Sequence, residues 1–553
     1  MNRPTIALLG ALVLAHPLSA QRAPATDTRV TGALRDGTIW SALRFLSDDL
    51  LEGRGTGARG GELAARYLAS QFMALGLEPA GDSGTWYHNV PIVTLVPEGR
   101  LSAGGRQLRF RDDFVLWSEQ NPSPGNSTQS VGAGAELVFV GYGITAPESR
   151  WDDFKDVDVR GKVLLMLVND PGLADPAIFR GRILTYYGRW TYKLEEAARR
   201  GAAGVLLVHN DSMATYGWST VRNSWTGDQV RLLGENTSLQ WAGWLTENAT
   251  SEILRAGGHD LGRLIAQATR ADFRPVATGI TVDGAVTSAV RFSNAPNVVA
   301  RWPGSDPTLR AEAVVIGSHY DHLGVGQPVR GDSIMNGAID NASGTATLLG
   351  IAEAFARSGV HPRRSIMFVA FTGEEKGLLG SAAFAARPPM PLAGVAAVIN
   401  VDVTNVYGAT NDIGALGLDQ STLGTVFRQA ARAERLRVSE DSSALLRGSF
   451  YRSDHFPLVK AGVPALSMET GSDAVGRPAG WMQEQKDLYN RERYHQVGDE
   501  VLPWFDLAGT MQQARVVIRV ALAVGNAAQR PAWHRTSEFR SAGEALLRGR
   551  TRP

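Results

Sequence analysis

The sequence predicts an α/β fold: a doubly covered, mostly parallel-core sheet with a smaller α/β domain inserted into it. Three observations carry that expectation. In the C-terminal half, short apolar runs at 313–317, 365–371, 395–401 and 463–468 alternate with helical stretches, the rhythm of a parallel sheet covered on both faces. A middle block has its own strand–helix rhythm and no run of catalytic-type residues. Five residues able to bind metal, His319, Asp340, Glu375, Asp402 and His495, are spread over the C-terminal half, at least four of them following short apolar runs. Open α/β sheets place their sites at such strand ends.

Taken from the start, residues 1–20 have the layout of a secretory signal. Arg3 provides positive charge, 6–15 is apolar but for Gly10, and Ser19-Ala20 precedes a polar residue. The expectation is export, secreted or periplasmic, with cleavage near Ala20. Residues 21–30 are polar and read as a disordered linker. Residues 31–131 form the first part of the main domain, with two amphipathic helical stretches between 38 and 77 and the loop Gly53-Arg54-Gly55-Thr56-Gly57 between them. Leu63, Ala64, Tyr67, Leu68 and Phe72 share one helical face. The inserted domain spans 132–285, with strands at 136–140, 163–168 and 204–208 and a helix at 190–200 that Gly201 ends. The catalytic part of the main domain is 286–528, closing on a helix at 507–524, and an Arg-rich tail at 529–553 reads as mobile.

Composition excludes several classes. The 553 residues are too many for one ordinary domain, and 44% apolar content is enough for real cores. A net charge of +1 gives no basic surface for nucleic acid. Beyond the N-terminal segment no run approaches the roughly 18 apolar residues of a spanning helix, so no membrane insertion is expected. With no cysteine, disulfides, thiolate zinc ligands and lipidated cysteine are all excluded.

The remaining donors, His nitrogen and carboxylate oxygen, suit zinc. His319 and Asp321 have the His-x-Asp spacing in which the carboxylate can hold the far ring nitrogen of a ligand. Two Zn²⁺ ions against Asp340, Glu375 and Asp402 leave one excess positive charge, which a bridging hydroxide would neutralise. If Asp340 bridges, each metal has three protein ligands. Glu374, beside a ligand, is placed to take a proton from water and pass it to a leaving amine. His322 is read as structural, and Ser453-Asp454-His455 lacks the positioned partners of a serine mechanism, with Asp454 left open between lining the pocket and supporting a ligand.

These motifs carry a resemblance. His319-Tyr320-Asp321-His322, the stretch Asn336 to Gly344, Glu374-Glu375-Lys376-Gly377-Leu378-Leu379-Gly380-Ser381 and Tyr494-His495 resemble the co-catalytic two-zinc aminopeptidases, in a superfamily that also holds glutamate carboxypeptidase, glutaminyl cyclase and receptor-like proteins. Gly141-Tyr142-Gly143-Ile144 and the stretch Glu195 to Ala202 resemble the protease-associated (PA) domain inserted in many exopeptidases. The resemblance implies a sheet of the zinc exopeptidase type with two Zn²⁺ per subunit, one held by His319, Asp340 and Asp402 and the other by Asp340, Glu375 and His495. It makes Glu374 the general base and then acid, Asp321 the partner of His319, and Tyr494 the stabiliser of the oxyanion. Ile339 stands where the family often has a second Asp, at a position that is not a ligand. The implied function is a secreted aminopeptidase that uses a metal-bridging hydroxide on peptides with a free N-terminus. A carboxypeptidase or dipeptidase of the same superfamily is the alternative. A glutaminyl cyclase or a non-catalytic receptor-like protein fits the full ligand set less well. The preferred N-terminal side chain, the role of the PA-like domain and the oligomeric state have no pattern in the sequence.

Overall fold

The computed structural model describes residues 25–234 and 236–550. The expected signal segment lies outside them. Two sheets organise the chain. In the first, strands Ser365–Phe371, Ala313–His319, Val395–Asn400 and Ala465–Glu469 run parallel in that spatial order. Antiparallel strands Asn297–Trp302 and Asp412–Leu416 flank them. The parallel core was legible because every residue of its first three strands is buried, so each is apolar on both faces.

Alternation then divides those residues between two cores. Val314, Ile316, Phe368 and Ile399 pack with Leu348 and Phe355 of helix Ser343–Ser358 and with Ile518 of helix Ala508–Asn526. Val315, Val369 and Val398 face the other way, toward Phe384, Leu458 and Phe539. The sheet is therefore covered on both sides. Among the described residues no helix is long and apolar enough to cross a membrane.

The second sheet belongs to the inserted body, and its limits differ from those expected. Its parallel centre, Thr128–Phe139, Val163–Leu167, Gly204–His209 and Trp241–Thr246, falls almost wholly in the block read as 132–285. Pro91–Ala103 and Phe114–Ser118 also pair in it, however, and Val276–Asn294 crosses the expected boundary. Pairing along the long ribbon of Pro91–Ala103 and Val276–Asn294 joins residues nearly two hundred positions apart, and local pattern does not encode sheet membership. The two bodies meet through aromatic contacts, with the Tyr186 ring of the insert 4.9 Å from Phe456 of the main body.

Two other expectations need correction. From Ala25 the segment read as a disordered linker is helix Ala25–Ala33, docked by the fully buried Val30. The tail read as mobile is anchored: the Trp533 indole donates to the Gly462 carbonyl at 2.9 Å, Phe539 is buried, and Arg540–Arg550 is helical. Apolar anchors within a polar stretch outweigh its composition. The stretch before His495 contains helix Trp481–Glu492, which buries only Met482 and Tyr489, seven residues apart.

Candidate metal centre

The expected ligands converge at the carboxyl ends of the parallel strands. His319 ends its strand, Asp402 lies two residues beyond Val395–Asn400, and Glu375 lies four residues beyond Ser365–Phe371. Asp340 and His495 come from elsewhere, so three ligands rather than four stand at strand ends. Asp340 sits in the tight turn that precedes helix Ser343–Ser358, and its peptide bond to Asn341 is cis. That turn requires glycine at 337: φ is +56°, and a Cβ would lie 2.2 Å from the Asp340 carbonyl and 2.6 Å from the His322 ring. His495 follows helix Trp481–Glu492 and is itself left-handed, with φ of 59°.

Asp340 lies between two donor groups. On one side His319 Nε2 is 3.1 Å from Asp402 Oδ1 and 3.3 Å from Asp340 Oδ1. On the other, His495 Nε2 is 3.0 Å from Glu375 Oε2 and 3.5 Å from Asp340 Oδ2. His322, expected to be structural, also reaches this side, with Nδ1 2.8 Å from Glu375 Oε1. Single donor atoms of His319, Asp340 and Asp402 lie within 4.8 Å of one another, as do those of His322, Asp340 and Glu375. The Nε2 atoms of His322 and His495 are buried without a hydrogen-bond partner. An imidazole nitrogen such as His495 Nε2, facing two carboxylates without bonding geometry, is what a shared cation needs. The donors, all nitrogen and oxygen, suit zinc.

Electrostatics agrees. Asp340 is held well below the usual carboxylate range although burial opposes this, because the His319 and His495 imidazoles stand beside it. His495 is raised to about 10 against the effect of its own burial, by Asp340 and Glu375. The cluster stabilises positive charge among its carboxylates, the requirement of a cation site. Glu374 behaves differently. Burial pushes its carboxyl well above the ordinary value, with Asp402, Glu375 and Asp454 adding to the rise and His319 opposing it.

The surrounding residues hold the donors still. Asp321, fully buried, has one oxygen 3.7 Å from His319 Nδ1, accepts from Thr56 Oγ1 at 2.7 Å, and accepts the Glu374 backbone N–H at 3.2 Å. Ser453 Oγ donates to Asp402 Oδ2 at 2.5 Å. Asp454 is buried behind the site, where Ser381 Oγ donates to it at 2.5 Å. Asp499 accepts the backbone N–H groups of Ile339 and Asp340, each at 3.0 Å. Arg54 is fully buried: Nε donates to Tyr320 O at 2.7 Å, Nη1 to Asn336 O at 2.5 Å and to Leu46 O, and Nη2 to Gly337 O at 2.9 Å. The roles of Arg54, Thr56, Ser453 and Asp499 were not legible. The glycine-rich frame of Arg54 and Thr56 was the only signal, and it points to a turn rather than to a site some 270 residues away.

The centre opens into a cavity of about 330 Å³ lined by His319, Asp340, Glu374, Asp402 and Tyr494 on the metal side and by Leu416, Met468 and Met482 farther in. Met482 thus lines the cavity, and Asp454 does not. Tyr494 stacks on His495, with ring centroids 3.8 Å apart, and stays 43% exposed, its phenol raised by burial and by the nearby carboxylates.

Residues 297–520 match the sequence model of peptidase family M28. Leupeptin-inactivating enzyme 1 of Streptomyces exfoliatus is 28% identical over 180 residues, 32% of this chain and 36% of that protein. Leucine aminopeptidase 1 of Penicillium rubens is 25% identical over 284 residues, 50% of this chain and 63% of that protein. The chain therefore spans less than two thirds of either relative. Among solved structures, an aminopeptidase from Aneurinibacillus sp. strain AM-1 is 19% identical, with 90% of this chain and 96% of that one covered at a TM-score of 0.47.

Proposed function

We propose, from the match of residues 297–520 to the peptidase family M28 model, that this chain is a zinc-dependent aminopeptidase that removes N-terminal residues from peptides. One observation carries the reading: Glu374, its carboxyl raised by burial, lines a cavity together with His319, Asp340 and Asp402, while Glu375 and His495 stand on the other side of Asp340. The names of the relatives, a leucine aminopeptidase and a leupeptin-inactivating enzyme, support it.

Two zinc ions would be held by His319, Asp340 and Asp402 and by Asp340, Glu375 and His495, with His322 within reach of the second. Bound zinc supplies Lewis-acid activation of water and of the scissile carbonyl. The remaining work falls to the chain. Glu374 accepts the proton of the attacking water and returns it to the leaving amine, and a raised pKa suits both halves of that transfer. The Tyr494 hydroxyl, kept protonated, donates to the developing oxyanion. Asp321 fixes the His319 ring, and Ser453 fixes Asp402. Asp402, Asp441 and the carboxyl groups of Glu374 and Glu469 line the cavity and suit the ammonium of a free N-terminus, with Arg447, Arg452 and Lys486 on the same walls.

Two side chains favour the carboxypeptidase or dipeptidase alternative: Arg447 and Arg452 line the same cavity, and neither makes an ion pair among the described residues. We read the second body as a PA-type insertion, supported by its four-stranded parallel centre, and residues 1–20 as an export signal. The deciding assay uses leucyl-anilide, its N-acetyl derivative and N-acetyl-dipeptides, with chelator and then with zinc restored. Hydrolysis of the free-amine substrate alone, lost with chelator and restored by two zinc equivalents, is expected. Turnover of the blocked substrates alone refutes the aminopeptidase reading.

A further inference from the structure

A second concavity, about 810 Å³, reaches the metal centre from the opposite side. Glu375 and His495 form its end at the centre, and its far wall belongs to the inserted body, so it is the groove between the two bodies. Arg452 lines both this groove and the 330 Å³ cavity, so the two spaces adjoin across the donor cluster. A peptide whose first residue fills the smaller cavity has its remainder leaving toward the groove.

Two features of the groove suit an extended peptide. The first is a strand edge. Gln229–Leu232 is the terminal strand of the inserted sheet, paired antiparallel with Pro91–Ala103 on one side and with no strand on the other among the described residues. All four of its residues line the groove. Side chains alternate along a strand, so a groove covering one face would touch every second residue; contact with all four places the unpaired edge itself at the groove. Such an edge presents free N–H and C=O groups, a template for an added strand. The second feature is an aromatic wall. Trp225 stacks on Trp117 at 4.0 Å and meets Trp190 edge-on at 4.9 Å, and all three line the groove. Trp190 and Trp225 are only half-buried, and neither indole N–H has a hydrogen-bond partner among the described residues. Fixed aromatic faces with spare donors bind a large side chain beside a carbonyl.

We propose that the segment of substrate beyond the scissile bond binds in this groove as an added strand on the Gln229–Leu232 edge, with an aromatic or large apolar side chain against Trp190 and Trp225. The inserted body is then part of the substrate site, and the preferred substrates are peptides of several residues rather than dipeptides. This rests on the aminopeptidase reading, which fixes the direction of the peptide.

The test is calorimetric titration of the zinc-loaded Glu374→Gln chain with Leu-Ala-Phe-Ala-Ala, with Leu-Ala amide, and with the pentapeptide N-methylated at its Phe nitrogen. The pentapeptide is expected to bind about ten-fold or more tighter than the dipeptide amide, a margin of about 1.4 kcal/mol. N-methylation, which removes one main-chain donor, and Trp190→Leu or Trp225→Leu should each erase most of that margin. The methylated peptide keeps the test valid if a tryptophan variant fails to fold. Equal affinity for long and short peptides, or a margin that survives both the methylation and the tryptophan changes, overturns the groove proposal. Failure of the zinc-loaded parent chain to hydrolyse any free-amine substrate would instead overturn the aminopeptidase reading, so the two failures are distinguishable.

Discussion

Replacing Arg54 by methionine tests how the centre is held together. The guanidinium is fully buried and donates to carbonyls of four residues, Leu46, Tyr320, Asn336 and Gly337. Tyr320 lies between His319 and Asp321, and Gly337 opens the turn that carries Asp340, so one side chain ties together the segments bearing two ligands and a ligand's partner. Burial lowers Arg54 to about 10, while Asp321, Asp499, Asp340 and Glu375 keep it charged. Methionine fills much of the volume but takes the Arg54 donor from the buried carbonyls of Leu46, Tyr320 and Asn336, at about 1 kcal/mol or more each, while Gly337 O keeps the Ala342 N–H at 3.1 Å. Relief from burying a charge offsets part of this. Loss of one partner from a buried ionic network costs about 3–5 kcal/mol. For a body of this size that is a fall of roughly 6–20 °C in melting temperature. Differential scanning calorimetry of the zinc-loaded protein reads it, and Arg54→Lys, with one compact donor head, should fall between parent and Met. A Met variant that melts within about 2 °C of the parent, with its zinc retained, would refute the tie.

Glu374→Gln should keep its zinc by metal analysis and lose about 10²–10⁴-fold in leucyl-anilide turnover, the usual contribution of a general base; retained turnover removes Glu374 from the mechanism. Asp321→Asn should weaken zinc binding about 10-fold in competition with a chelator, since the negative charge 3.7 Å from His319 Nδ1 is lost while the Asp321 backbone carbonyl, 3.2 Å from that nitrogen, stays. His455 is fully buried, both its ring nitrogens lack partners, and burial lowers it to about 3 from the ordinary 6.5. Between those values the unfolded chain binds a proton that the folded chain does not. Stability therefore falls as pH drops through that window, by up to about 1.4 kcal/mol per pH unit for this group. Denaturant titrations at pH 7 and pH 4 should show a smaller acid loss in His455→Leu than in the parent.

The sequence alone determined the parallel core and singled out the candidate donors that the fold brings together. Strands buried on both faces spell themselves out as apolar runs, as in Ser365–Phe371, whose ends coincide with those read from the sequence. Residues at strand ends, such as His319 and Asp402, inherit their place from those runs. Only tertiary structure decided the rest. Arg54 and Thr56 act on the centre from a glycine-rich turn, Asp499 braces the Asp340 turn, and His322 stands close to Glu375. None of these contacts leaves a periodicity, because each joins distant segments through single side chains. The limits of the inserted body were hidden for a related reason: pairing partners such as Pro91–Ala103 and Val276–Asn294 are chosen by three-dimensional register. Local patterns follow from whether a residue is buried and which way it points, and these are repeated along an element. The partner it meets there is set once, by the packing of the whole chain.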